Sequence, residues 1–99
     1  DKVVGKIKNQ LECDVFYDWG GGLIWLAAAN DQEQVGDITR DAIGLLGGHA
    51  TLLRGSPELR RSCDVFQSQS PELLRLTKSL KEKFDPEAVL NPGRMYEGI

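Results

Sequence analysis

The fold is decided by the segment from Cys13 to Ala28, which reads CDVFYDWGGGLIWLAA. Its first half alternates apolar side chains with Asp-bearing positions, the period of two expected for a β-strand whose polar face meets solvent. Three glycines at positions 20–22 then interrupt the alternation. The run that follows is apolar on both faces, as in a central strand covered on both sides. The segment therefore predicts two strands joined by a glycine turn, which is a β-hairpin.

Helices are predicted on both sides of the hairpin. Residues 1–11 place apolar side chains at helical spacing, with Lys and Gln between them. Residues 33–46 form a second amphipathic pattern, which the following glycine pair ends because glycine accepts the left-handed cap conformation. A third strand is predicted over residues 49–54, and an irregular loop with one short helical turn over residues 55–69.

The last predicted helix begins at Ser70-Pro71-Glu72, which supplies a hydroxyl cap, a proline at the first helical position and an acid in the first turn. It is expected to bury a stripe of apolar side chains, formed by Leu73, Leu76, Leu80 and Phe84. The order helix, strand, strand, helix, strand, helix, tail predicts an α+β fold. In this fold a small antiparallel sheet has helices packed on one face, with ferredoxin-like character.

Composition limits the classes of function. The chain has 99 residues, 40% of them hydrophobic and 27% charged, which fits a single domain over residues 1–99. Its net charge of -3, without a basic stripe, argues against nucleic acid as a partner. No apolar stretch approaches the roughly 20 residues of a membrane span. The sequence starts at Asp1 rather than Met, so we expect an excised or processed piece of a longer protein.

A sheet of three strands leaves an edge with unpaired amides. We therefore expect another strand to come from outside this sequence or from a second copy. For the same reason we expect the isolated chain to self-associate.

Neither a metal centre nor an acid–base constellation is evident in the sequence. Cys13 and Cys63 are expected to be reduced, mostly buried thiols, and a disulfide between them stays open at this point. His49, the single histidine, is expected to pack or to form a hydrogen bond at the start of a strand. The glycine run with Trp19 and Trp25 is interpreted as a turn with two large buried side chains, or as a place where a cofactor ring lies against the backbone.

The residues after the last helix, from Phe84 to Gly98, read FDPEAVLNPGRMYEG. Asp85-Pro86 stops the helix, because the ring of proline disfavours helical geometry in the residue before it. Asn91-Pro92-Gly93-Arg94 predicts a tight turn, in which Pro92 presets φ and Gly93 tolerates the positive φ of a type II turn. From these residues alone, the tail is a docked segment with a rigid corner.

This ending resembles the C-terminus of FAD-linked oxidases of the vanillyl-alcohol-oxidase type. The FAD-binding, E-type subunits of bacterial glycolate oxidase share three segments with this chain in the same order and spacing: WGGGLIWL at 19–26, GHATLLR at 48–54 and the tail at 84–94. The tail motif is specific only to the superfamily, and the tryptophan–glycine segment narrows the resemblance to this subunit type. The resemblance covers nearly the whole chain, from about Asp14 onward.

The resemblance implies a C-terminal cap domain, with the domain that binds the FAD pyrophosphate lying outside this sequence. It implies FAD as the cofactor and a small 2-hydroxy acid as the substrate, oxidised to a 2-oxo acid. It also implies other glycolate oxidase subunits as partners, including an iron–sulfur subunit, and a location in the cytoplasm or at the inner membrane through those partners. No catalytic residue and no metal ligand are assigned.

Two residues of the tail carry over from the family motif as cofactor-facing. Asn91 is expected to form a hydrogen bond near the flavin ring, and Arg94 to offset negative charge on a reduced flavin or on a substrate carboxylate. The competing interpretation of both residues is turn chemistry and a surface ion pair.

The alternative function is a non-catalytic ferredoxin-like module that binds a metabolite or dimerises through its sheet. A strand and a glycine-rich pyrophosphate loop upstream of Asp1 would favour the flavoenzyme. A kinase or transcription-factor domain there would favour the module. A free-standing enzyme of 99 residues is the least favoured, because no site in the sequence is complete.

Overall fold

The computed structural model describes residues 2–29 and 34–99, except for the side chain of Leu45. The regular elements follow in the order α1 (Lys2–Lys8), β1 (Cys13–Asp18), β2 (Leu23–Ala28), α2 (Val35–Ile43), α3 (Pro57–Ser62) and α4 (Pro71–Phe84). Short 3-10 turns follow β1 at Trp19–Gly21 and α2 at Gly44–Leu46. This is a small α+β fold, as predicted.

The hairpin predicted from the alternating segment is confirmed. β1 pairs antiparallel with β2 in a register that runs from Cys13 opposite Ala28 to Asp18 opposite Leu23. The connection needs left-handed backbone, with φ of 62° at Gly20 and 93° at Gly21, which glycine adopts without a steric penalty. The glycine run therefore serves the geometry of the turn.

The core lies on one face of this hairpin. Ile7 from α1, Leu11 and Ala42 from α2 are buried together. The partly buried side chains that pack against them are Val3, Cys13, Leu26, Val35 and Ile38. Because Cys13 and Leu26 belong to the same face of the sheet, both helices cover that face, as predicted.

The other face of the hairpin is uncovered in the described part of the chain. It carries Phe16 and, directly opposite on β2, Trp25, and both side chains are exposed. The expectation that β2 is a central strand covered on both sides is wrong. Within 2–29 and 34–99 the sheet has two strands, so β2 is an edge strand, and the exposed Trp25 leaves its outer face uncovered. The expected burial of the tryptophans is also wrong, since Trp19 is 80% exposed.

The predicted third strand over residues 49–54 is also wrong. In the described part of the chain, this segment makes a single antiparallel bridge, between Thr51 and Phe66. The amide of Leu52 donates to the carbonyl of Val65 at 2.9 Å. The segment pairs with the following loop rather than with the hairpin, so the sheet does not extend and the ferredoxin-like character stays a prediction.

The boundaries of the first two helices differ slightly from expectation. α1 ends at Lys8, although Leu11 is buried as the periodicity predicted. The expected start of α2 at Glu33 lies outside the described residues. α2 itself ends at Ile43 with Gly44 as its C-cap, and the left-handed φ of 81° at Gly47 then closes the 3-10 turn.

Hydroxyl caps start the two C-terminal helices. Ser56 Oγ accepts a hydrogen bond from the amide of Leu59, and α3 confirms the short helical turn predicted within the loop. Ser70 Oγ accepts from the amide of Leu73 at 3.3 Å, with Pro71 at the first helical position of α4. The start of the last helix is therefore as predicted from its sequence.

The apolar stripe of α4 is exposed, which contradicts the expected burial. Leu73, Leu76 and Leu80 are each about half exposed, and Phe84 is 83% exposed. The radius of gyration, 15.6 Å, exceeds the roughly 13 Å of a compact domain of this size. The described residues thus form a small core and an arm with uncovered apolar surface, of the kind that marks an interaction site.

Two further features of the described residues limit the possible sites. Cys13 and Cys63 are free thiols, each half-buried. Among residues 2–29 and 34–99, the helices are all too short and too polar to span a bilayer.

Candidate functional site at the C-terminal corner

α4 ends at Phe84, with Asp85 as its C-cap, because Pro86 follows Asp85. The backbone of Asp85 leaves helical geometry, with φ of -143° and ψ of 67°, while its amide still donates to the carbonyl of Lys81. This is the restriction that proline imposes on the residue before it. The predicted stop of the helix is confirmed.

The side chain of Asp85 accepts hydrogen bonds from the backbone of residues that follow the helix. Its Oδ1 accepts from the amide of Val89 at 3.0 Å, and its Oδ2 accepts from the amide of Leu90 at 2.8 Å. The ammonium of Lys81 lies 2.5 Å from the same Oδ2 and also donates to the carbonyl of Leu90. The carboxylate is therefore tied to its own helix and to the tail at once.

This environment favours the charged form of the carboxyl group. The hydrogen bond from Lys81 is the main cause that lowers the pKa of Asp85 below its usual range, followed by the bond from the amide of Leu90. Burial works in the opposite direction and is outweighed. Asp85 is thus an ionised, almost fully covered group, with 6% of its surface exposed.

The turn predicted at Asn91-Pro92-Gly93-Arg94 is present. The amide of Arg94 donates to the carbonyl of Asn91 at 3.3 Å, and Gly93 has a φ of 66°. The amide of Gly93 also donates to the carbonyl of Ile99, so the end of the chain folds back on the turn. We call residues 88–94 the C-terminal corner.

The side chains of Asn91 and Arg94 are the polar groups that this corner exposes. Both side chains are exposed, and neither has a hydrogen-bond or ion-pair partner within residues 2–29 and 34–99. The surface ion pair considered for Arg94 is therefore not formed among the described residues. One backbone turn thus presents an amide and a guanidinium three residues apart.

An aromatic contact fastens the tail beyond the corner. The rings of Tyr96 and Phe66 lie with centroids 6.3 Å apart at an angle of 56°, a tilted arrangement typical of favourable aromatic pairs. Phe66 is also the residue that forms the isolated bridge with Thr51. The end of the chain is thereby placed beside the loop that follows α3.

Other residues singled out in the sequence do not assemble a site. His49 is exposed and has no hydrogen-bond partner among the described residues, so the expected role in packing or in a hydrogen bond is wrong. A Cβ added at Gly20 or Gly21 would meet nothing within 4 Å, so no described group lies against these glycines. No group of three or more His, Cys, Asp or Glu within 2–29 and 34–99 is arranged to hold a metal ion.

Sequence reasoning missed the residues that hold the corner. The sequence interprets Asp85 only as the end of the helix and gives it no partner in Lys81. The available signal was their spacing, since a Lys and an Asp four residues apart meet on the same side of a helix. The bonds from Asp85 to Val89 and Leu90 had no comparable signal.

Comparison with known proteins gives one informative match. The chain is 39% identical over 79 residues to glycolate oxidase subunit GlcE of Escherichia coli, a match that covers 80% of this chain. The chain spans 20% of the length of that curated relative. The resemblance predicted from the motifs is therefore confirmed. No family model and no solved structure matches the chain.

Proposed function

We propose that this chain is the cap domain of an FAD-linked oxidoreductase subunit, with the C-terminal corner facing the cofactor. The observation that carries the proposal is the identity of 39% to a glycolate oxidase subunit over four fifths of the chain. The corner supports it, because it presents Asn91 and Arg94 without partners in the described part of the chain on a backbone that is held in place.

The residues present fit one edge of a flavin rather than the whole of FAD. An amide that can donate or accept, next to a cation, suits a polar ring edge and the negative charge beside it. The glycines at 20–22 occupy a hairpin turn and do not form a phosphate cradle at a helix N-terminus, the usual place for a pyrophosphate. The proposal therefore assigns the pyrophosphate to a domain outside this sequence.

The proposed activity of the whole protein is oxidation of a 2-hydroxy acid to a 2-oxo acid. When bound, FAD supplies the acceptor for the hydride that leaves the hydroxy acid, and a partner subunit with iron–sulfur clusters would take the electrons onward. Within this chain, the guanidinium of Arg94 would pair with the substrate carboxylate or with negative charge at the ring. Asn91 would orient the ring edge through its side-chain amide.

The uncovered apolar surface agrees with a domain that packs against other parts of an assembly. It includes the stripe on α4 and the outer face of the hairpin, which are exposed in the described part of the chain. Large apolar patches of this kind are rare on isolated soluble domains and mark interaction sites. The alternative module, which dimerises through its sheet, would use the same surface.

The visible spectrum of the protein expressed from its complete coding sequence tests the proposal. Flavin bands that bleach when a 2-hydroxy acid is added under anaerobic conditions are the expected result. A colourless preparation that takes up no added FAD would contradict the proposal and would favour the dimerisation module.

Two variants of the corner test the assigned roles in that protein. Asn91→Asp keeps a side chain that tolerates left-handed backbone but removes the donor and adds a negative charge. We expect it to weaken FAD retention about fivefold or more, as the loss of one hydrogen bond predicts. Ser70→Ala, which removes the cap of α4, is the structural control. Equal losses in the two variants would mean that Asn91 serves only the architecture.

A further inference from the structure

Two residues of the C-terminal corner have a backbone conformation that residues other than glycine seldom adopt. Ala88 and Asn91 both have left-handed backbone, with φ of 51° and 48°, although neither is glycine. Such geometry raises the free energy of an ordinary residue, most clearly for alanine, which has no side-chain group to compensate. Interactions outside these two residues must therefore stabilise the corner.

The contacts of Lys81 and Asp85 supply that stabilisation. Both backbone polar groups of Leu90 are engaged, since its amide donates to Asp85 and its carbonyl accepts from Lys81. Leu90 directly precedes Asn91, so the entry of the chain into the turn is fixed at the end of α4. The exposed arm of the molecule thus has a rigid polar joint at its tip.

This joint differs from ordinary surface ion pairs elsewhere in the described chain. The pairs Arg61–Glu58 and Arg75–Glu72 are largely exposed and join residues of one helix. The pair of Lys81 with Asp85 is mostly covered, with side chains 20% and 4% exposed, and it also bonds to the tail. A covered, fully hydrogen-bonded pair specifies one geometry, whereas an exposed pair contributes little.

We propose that Lys81 and Asp85 are positioning residues that hold the C-terminal corner, and with it Asn91 and Arg94, against the cofactor. This inference rests on the proposed function. Neither residue is expected to touch the flavin. They determine the positions of the Asn91 amide and the Arg94 guanidinium, as supporting residues do for functional side chains in preorganised sites. Without them, the corner would lose its left-handed segments and would present both groups in many arrangements.

The test uses the full-length protein stripped of FAD and then titrated with it. We expect Asp85→Asn to weaken FAD binding about tenfold, since it replaces a charge-assisted acceptor with an amide that faces another donor. Lys81→Met keeps the aliphatic stem and removes the ammonium, and it should weaken binding in the same direction. Lys83→Met is the matched control, because Lys83 lies on the same helix, is exposed and has no partner in the described chain.

Two further readouts separate positioning from a general loss of stability. The visible bands of bound flavin should shift in Lys81→Met, because the polar groups at the ring edge move, and Lys81→Arg should restore them. Amide exchange in the peptide over residues 86–94 should accelerate in Lys81→Met and not in Lys83→Met. If Asp85→Asn does not fold, the Lys81 variants decide the question.

The possible outcomes distinguish the proposed function from the positioning role of Lys81 and Asp85. If the wild-type protein binds no FAD, the proposed function and this inference fail together. If the wild type binds FAD and Lys81→Met binds it equally, with unchanged flavin bands, the positioning role is wrong while the proposed function stands. Equal losses in Lys81→Met and Lys83→Met would also overturn the positioning role, because the effect would belong to the helix in general.

Discussion

The hairpin with its two helices and the arm formed by α4 and the C-terminal corner are stabilised by different physics. The first region buries Ile7, Leu11 and Ala42 against one face of the sheet. The second region has no buried residue in α4, and polar bonds around Asp85 hold its end. Apolar burial thus stabilises the first region, and hydrogen bonding organises the end of the second.

The difference shows what each region is suited to do. A packed apolar core tolerates little change and carries most of the free energy of folding. A polar joint on an exposed arm contributes less stability, but it specifies direction, since hydrogen bonds have geometry and apolar contacts do not. The arm can therefore present groups to a neighbour while the hairpin half keeps the chain folded.

The largest expected effect is in the core. Ile7 is 2% exposed, so Ile7→Ala should lower the free energy of unfolding of this chain by about 2–5 kcal/mol, from lost burial and the cavity left behind. Denaturant unfolding followed by circular dichroism measures the change. Leu53→Ala, at an exposed position in the loop, should change it by about 0.5 kcal/mol at most. Similar losses in the two variants would break the distinction between core and periphery.

A matched pair of glycine variants should give effects of opposite sign. A Cβ at Gly36 in α2 would lie 2.6 Å from the Sγ of Cys63, so Gly36→Ala should destabilise the chain by about 1–3 kcal/mol. A Cβ at Gly5 in α1 would meet nothing within 4 Å, so Gly5→Ala should stabilise the chain by about 0.5–1 kcal/mol. Thermal unfolding of both variants checks the signs.

The double variant Gly36→Ala with Cys63→Ala sharpens the same comparison. Removal of the Sγ makes room for the new methyl group, so the double variant should be more stable than the sum of the two single changes predicts. Strictly additive changes in stability would show that the contact between α2 and Cys63 is not what destabilises Gly36→Ala.

Sequence patterns predicted the elements and the buried inner face of the hairpin region, but not its exposed outer face. For α4 and the C-terminal corner they predicted only the outline. The hairpin and the burial of Val4, Ile7 and Leu11 follow from local periodicity, which reports the face that each residue occupies. The same periodicity marked an apolar stripe on α4 and could not say whether anything in this chain covers it. Periodicity identifies a face, and the covering element must come from tertiary contacts.

The candidate site also has one part that the sequence predicts and one part that it does not. The turn at Asn91–Arg94 was predictable, because Pro92 and Gly93 have local conformational preferences that need no distant partner. The joint at Asp85 was not, because it depends on a side chain that reaches four and five residues along an irregular segment. The third strand failed for a related reason: residues 49–54 have strand composition, but their partner is the loop near Phe66.

A smaller effect on the free energy of unfolding is expected at low pH. Because the folded-state pKa of Asp85 lies below its usual value of 3.8, its ionised form contributes stability that is fully present above the unfolded-state pKa and is lost as the pH falls through the folded-state value. The difference in unfolding free energy between wild type and Asp85→Asn should be constant above about pH 5 and should shrink on acidification below it. A difference that grows towards low pH would show that the carboxyl group is not held in its charged form.

The smallest expected effect on stability belongs to the exposed stripe of α4. Leu76→Gln with Leu80→Gln should change the unfolding free energy of this chain by about 0.5 kcal/mol at most, because both side chains already meet solvent. The same change should reduce self-association measured by light scattering, since it removes uncovered apolar surface. A large loss of stability would mean that the stripe is covered within the folded chain, and the contrast between a packed half and an open arm would then be wrong.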